Sequence, residues 1–90
     1  MNLMENAQQR EANKTVSVVF NNNQHITLEQ RKYTGLELKQ AAIQQGVLIQ
    51  LSYVLFEVKR NGRRVIIGDH DTVQVNKESE FSAVADDDNS

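Results

Sequence analysis

The sequence predicts an α+β domain in which a mixed sheet of about five strands wraps round one helix. Three observations predict it. Thr34-Gly35-Leu36-Glu37 has the spacing of a helix capping box. Asn61-Gly62 lies between two strand-like runs, a strong short signal for a hairpin. Alternating β-branched and aromatic segments stand both before and after the predicted helix.

Each element follows from local chemistry. Thr15 to Phe20 reads Thr-Val-Ser-Val-Val-Phe and puts Val16, Val18 and Phe20 on one face. The Asn21-Asn22-Asn23-Gln24 stretch turns the chain, because asparagine tolerates left-handed backbone. His25 to Glu29 alternates again, with Ile26 and Leu28 facing together, which completes a hairpin. The helix starts at the Thr34 cap and runs to Gly46, a C′ glycine. Leu36, Ile43 and Val47 lie on one side of it at about 100° per residue, and Leu38, Ala41 and Ala42 nearly opposite. The Leu38 and Ala42 side is read as the deeper one, since small residues let a helix sit close to a sheet.

Val54 to Lys59 is the next strand. A type I′ turn at Asn61-Gly62 pairs Arg60 with Arg63, Lys59 with Arg64, Val58 with Val65, Glu57 with Ile66 and Phe56 with Ile67. Val54, Phe56, Val58, Val65 and Ile67 then face inward. Gly68 to Asp71 turns, Thr72 to Val75 is extended, Asn76 to Ser79 turns again, and Phe81 to Ala85 is a last strand. The expected core is Val16, Val18, Phe20, Ile26, Leu28, Leu38, Ala42, Val54, Phe56, Val58, Val65, Ile67 and Phe81.

The ends differ from this body. Residues 1–14 carry only Met1, Leu3 and Met4 as apolar side chains larger than alanine, too few to offset their ordering entropy. They are read as a flexible arm, residues 15–85 as the folded domain, and Asp86-Asp87-Asp88-Asn89-Ser90 as a flexible acidic tail.

Composition narrows the function classes. The chain has 90 residues, 39% hydrophobic and 24% charged, as an ordinary globular domain has. A formal charge of −2 lacks the basic signature of a nonspecific nucleic-acid binder. Without cysteine there is no disulfide, thiol nucleophile or thiolate metal site. No apolar run approaches the roughly 20 residues of a membrane span, and the polar start does not resemble a secretory signal. A cytoplasmic protein that binds neither nucleic acid nor membrane is expected. Asn and Gln together supply 18 residues, which suggests solvated surfaces in place of an enzyme cleft.

The order of elements and their punctuating motifs are similar to the β-grasp fold of ubiquitin. Val75-Asn76-Lys77-Glu78-Ser79-Glu80-Phe81-Ser82-Ala83-Val84 resembles the segment leading into ubiquitin's last strand, where a Lys-Glu-Ser turn precedes alternating apolar residues. Thr34-Gly35 before Glu37-Leu38, Asp71-Thr72-Val73 before a strand and Glu80-Phe81 opening the last strand resemble the bacterial multiubiquitin domain family. The resemblance covers roughly residues 15–89. It implies a protein modifier attached to targets through its C-terminal tail. Its partners would be ubiquitin-activating-like and ubiquitin-conjugating-like enzymes and an isopeptidase or processing protease. One departure stands out. Ubiquitin ends in Gly-Gly, whereas this tail is Asp86, Asp87, Asp88, Asn89 and Ser90. An activating enzyme would need a basic channel for it. Alternatively, processing would expose Asn89, or the tail never reacts and the domain is a noncovalent interaction or assembly module. A sulfur carrier shares the fold but needs the missing Gly-Gly.

Catalytic chemistry is poorly represented. His25 and His70 lie at predicted turn edges with no adjacent nucleophile. Asp69-His70-Asp71 does not fit an EF-hand loop, and turns carry Asp for its hydrogen bonds alone. Neither a Walker loop nor a G-x-G-x-x-G run is present. Hence no enzyme activity, cofactor or metal is expected. Two surface features remain. Lys59, Arg60, Arg63 and Arg64 cluster at the second hairpin tip, an electrostatic handle for an acidic partner or a plain solvated turn. No aromatics interleave with them, which argues against nucleic acid. Leu55, Ile66 and Val84 are expected to form an outward apolar patch rimmed by Lys59 and Arg64. In ubiquitin the outward face of the corresponding sheet is its main recognition surface.

Overall fold

The computed structural model describes residues 14–86. Residues 1–13 of the expected arm, and Asp87, Asp88, Asn89 and Ser90 of the expected tail, lie outside the described residues. The elements run β1 Thr15–Phe20, β2 Gln24–Glu29, β3 Lys32–Thr34, α1 Gly35–Gln44, β4 Val54–Val58, β5 Arg64–Ile67, β6 Thr72–Gln74 and β7 Glu80–Val84. Five of them form one mixed sheet in the order β2-β1-β7-β4-β5. The central pair β1 and β7 is parallel, and its neighbours pair antiparallel. The expected α+β domain, a mixed five-stranded sheet with one helix, is therefore present. The short pair β3 and β6 is separate from that sheet. Thr72 to Val75, expected as an extended link, thus pairs as a strand over Thr72–Gln74, and its partner Lys32–Thr34 is a strand the sequence does not announce.

The helix is built at both ends as its sequence dictates. Thr34 Oγ1 accepts the Glu37 N–H and Glu37 Oε1 accepts the Thr34 N–H, closing the capping box. At the other end Gly46 takes φ +96°. Its N–H donates to Ile43 O, and the Val47 N–H donates to Ala42 O, which makes a Schellman motif. Leu38 and Ala42 are fully buried and Ile43 is exposed, so the deeper face is the one expected. They pack with Val18, Phe20, Ile26, Leu28, Leu55, Ile67, Phe81 and Ala83 in one core on one side of the sheet. Tyr33, Val47, Ile49 and Val75 complete that core from loops and short strands. Val16 is only partly buried.

The second hairpin departs from expectation by one residue. Observed partners are Leu55 with Ile67, Phe56 with Ile66, Glu57 with Val65 and Val58 with Arg64. The turn explains the slip. Asn61 does not take a positive φ, whereas Gly62 does, at +88°. Lys59 N–H donates to Arg63 O, Gly62 N–H to Lys59 O, and Arg63 N–H to Asn61 Oδ1. The loop is therefore Arg60-Asn61-Gly62, a type I turn followed by a left-handed glycine, one residue longer than a type I′ loop. A one-residue slip moves every side chain of a strand to the other face. Leu55 is thus 1% exposed in the core. Val54, Phe56 and Val58, expected inside, are half-buried on the outer face. The β5 assignments survive, with Ile67 buried and Val65 half-buried. The last strand, expected over Phe81 to Ala85, runs one residue earlier, and Ala85 is exposed beyond it.

Candidate functional site

The face of the sheet opposite α1 carries side chains that no helix of the described residues covers, the exposed Ile66 and Val84 among them. Pairing sets their rows. Ile66, Phe56 and Ser82 lie abreast across β5, β4 and β7, Val54 stands beside Val84, and Val58 beside Arg64. Ile66 is 64% exposed and Val84 43%. Phe56, Val54 and Val58 are half-buried. The Arg64 guanidinium sits 5.9 Å from the centre of the Phe56 ring, within cation–π range. Apolar area is therefore continuous from β5 to β7, and one side of it is cationic.

Of the residues expected at a partner surface, Ile66, Val84 and Arg64 share this face, Ile66 beside Phe56, Val84 beside Val54 and Arg64 beside Val58. Leu55 does not: it faces the core, and Phe56 holds the place assigned to it. The signal that could have found Phe56 is Asn61, whose side chain accepts a backbone N–H and so competes with the positive φ of a type I′ turn.

The basic tip divides in two. Lys59 Nζ pairs with Glu57 Oε1 at 3.2 Å, and Arg60 with Glu78 at 2.9 Å. Arg63 and Arg64 have no carboxylate partner among the described residues. Between the tip and the turn before β7 lies a polar groove of about 310 Å³, lined by Glu57, Lys59, Arg60, Asn76, Glu78 and Glu80 among others.

Both aspartates of Asp69-His70-Asp71 have structural partners. Asp71 Oδ2 accepts the Gly68 N–H, and Asp69 Oδ1 lies 2.8 Å from Lys39 Nζ. His25 and His70 are exposed. Asp86 follows Ala85 as an exposed residue, so the chain leaves β7 uncovered. Among the described residues no helix is long and apolar enough to cross a membrane. No family model, curated protein or solved structure matches the chain.

Proposed function

We propose that the domain is a ubiquitin-like β-grasp module of the multiubiquitin type that works by being recognised, with other proteins seating on the outer face of its sheet. The observation that carries this reading is the exposed pair Ile66 and Val84 on one sheet face, joined by the half-buried Phe56 and Val54 and flanked by Arg64. Exposed apolar area with a charged rim is the common form of a protein-interaction site. The strand order β2-β1-β7-β4-β5, with β1 parallel to β7 and the helix on one face, is the arrangement that the β-grasp resemblance requires.

The experiment is a double variant, Ile66→Glu with Val84→Glu. Both side chains are exposed, so the melting temperature should move by only a few degrees. Formaldehyde crosslinking in bacterial cells that make the protein should give discrete adducts with the unaltered chain and none with the variant. Equal adduct patterns would contradict the reading.

A narrower function is favoured by the exposed path of the chain at Ala85 and Asp86. There the module is a modifier, activated and conjugated in the bacterial cytoplasm through Asp86 to Ser90 by ubiquitin-activating-like and ubiquitin-conjugating-like enzymes and released by an isopeptidase or processing protease. The chain is then the cargo of those enzymes and performs no catalysis itself. Purification under denaturing conditions, followed by peptide mapping, tests this. Branched peptides joining the tail to lysines of other proteins are expected, and their absence leaves the noncovalent module.

A further inference from the structure

The five-stranded sheet has two edges, β2 and β5, and they are finished differently. In an antiparallel pair, alternate residues point their backbone groups away from the partner strand. On β2 these include Thr27 and Glu29. The Gln45 side-chain amide occupies both the N–H and the carbonyl of Thr27, each at 2.8 Å. The Tyr33 hydroxyl accepts the Glu29 N–H at 2.9 Å. That edge is occupied from Thr27 to Glu29, while His25, which points the same way, has no backbone partner there among the described residues. On β5 the Lys59 N–H to Arg63 O bond fixes the alternation, so Val65 and Ile67 bond to β4 while Arg64 and Ile66 point away. Neither Arg64 nor Ile66 has a backbone hydrogen-bond partner on that side among the described residues. Their side chains lie on the outer face, both exposed.

We propose that the open edge of β5 takes an extended segment of a partner protein as an added strand, and selects one with a carboxylate two residues from a large aliphatic side chain. The spacing follows from the strand. Side chains on one face recur every second residue, about 6.6 Å apart. An aliphatic residue opposite Ile66 extends the row Ile66, Phe56 and Ser82 by one strand. The residue two positions away then stands opposite Arg64, where an acid meets a guanidinium that no carboxylate of the described residues neutralises. Arg63 adds a second uncompensated cation at the same end. Main-chain bonds give the segment its affinity, and the alternate side chains give its selection. The inference deepens the outer-face reading and rests on it.

The probe is acetyl-Ser-Glu-Thr-Ile-Thr-Glu-Ser-amide, which presents the same spacing in either strand direction. It is titrated into the full isotopically labelled chain and followed by backbone amide resonances. Shifts and slowed exchange are expected at Arg64 and Ile66 and not at Thr27. Two methylated forms decide the mode. One carries N-methyl groups on Ile and both Glu, the other on both Thr. Strand addition turns only one of these sets of N–H groups toward β5, so one form should lose at least about tenfold in affinity while the other binds like the parent. Exchanging both Glu for Lys should also cost at least about tenfold. Equal binding of the two methylated forms, with shifts at Phe56 and Ile66, overturns strand addition and leaves the outer-face reading standing. No binding of the parent at millimolar concentration overturns the proposal, as does protection at Thr27.

Discussion

The side chain of Gln45 serves Thr27 as a neighbouring strand would: Nε2 donates to the Thr27 carbonyl and Oε1 accepts the Thr27 N–H, each at 2.8 Å. The contact ties the helix C-cap to the middle of β2 and removes one position from an edge where another chain could pair. Gln45→Ala should cost about 1 kcal/mol, since both bonds are solvent-exposed. The clearer readout is hydrogen exchange, which should quicken at the Thr27 amide and stay unchanged at Ile26.

Lys39 is the buried charged residue among the described residues. The residue is 4% exposed, and its ammonium donates to Leu51 O at 2.6 Å and Tyr53 O at 2.9 Å, with Asp69 Oδ1 at 2.8 Å. All three of its protons have partners, so the helix, the loop before β4 and the turn after β5 are held at one point. Lys39→Met leaves two carbonyls without that donor and should cost on the order of 2–4 kcal/mol in urea unfolding. Asp69 is half exposed, and Asp69→Asn should cost clearly less.

The register of the second hairpin can be checked by two truncations. Leu55→Ala removes a core side chain and should cost about 2–5 kcal/mol. Phe56→Ala removes a half-buried ring from the outer face and should cost on the order of 1–2 kcal/mol. The opposite order would restore the type I′ register and place Phe56 inside.

Gly35 opens the helix against the turn after β5. A Cβ there would collide with the carbonyl oxygen of Gly68, and the Gly35 N–H donates to Asp71 O at 3.0 Å. The obstacle is backbone, not a mobile side chain. Gly35→Ala should therefore destabilise by about 1–3 kcal/mol, although alanine is the better helix former. An unchanged or raised melting temperature would show that the turn yields at little cost.

Local chemistry made much of this fold legible. The Thr34 and Glu37 cap, the Gly46 stop and the face of β1 and β2 depend on neighbours in sequence, and each stands where the residues put it. What sequence could not supply depends on distant partners. Asn21 looks like a turn residue, yet its side chain also accepts the Ala83 N–H and its own N–H donates to Phe81 O, extending the hold of β1 on β7. Lys39 reads as a surface lysine until two loops fold over it. For the candidate site the outcome followed strand by strand. Ile66 and Arg64 on β5 and Val84 on β7 point as expected, while β4 turned over because Asn61 spends its side chain on Arg63 instead of taking a positive φ.

Recognition through the outer sheet face is tested most directly by site-specific photo-crosslinking in cells that make the protein. A benzophenone amino acid replaces Phe56 in one strain and Leu48 in another. Leu48 is 91% exposed in the loop that follows α1, so it is the more accessible apolar position but lies outside the row of Ile66, Phe56 and Ser82. Discrete protein adducts are expected from position 56, lost on adding Ile66→Glu, and none of them from position 48. Adducts of equal yield and pattern from both positions, or from position 48 alone, would contradict recognition through that face.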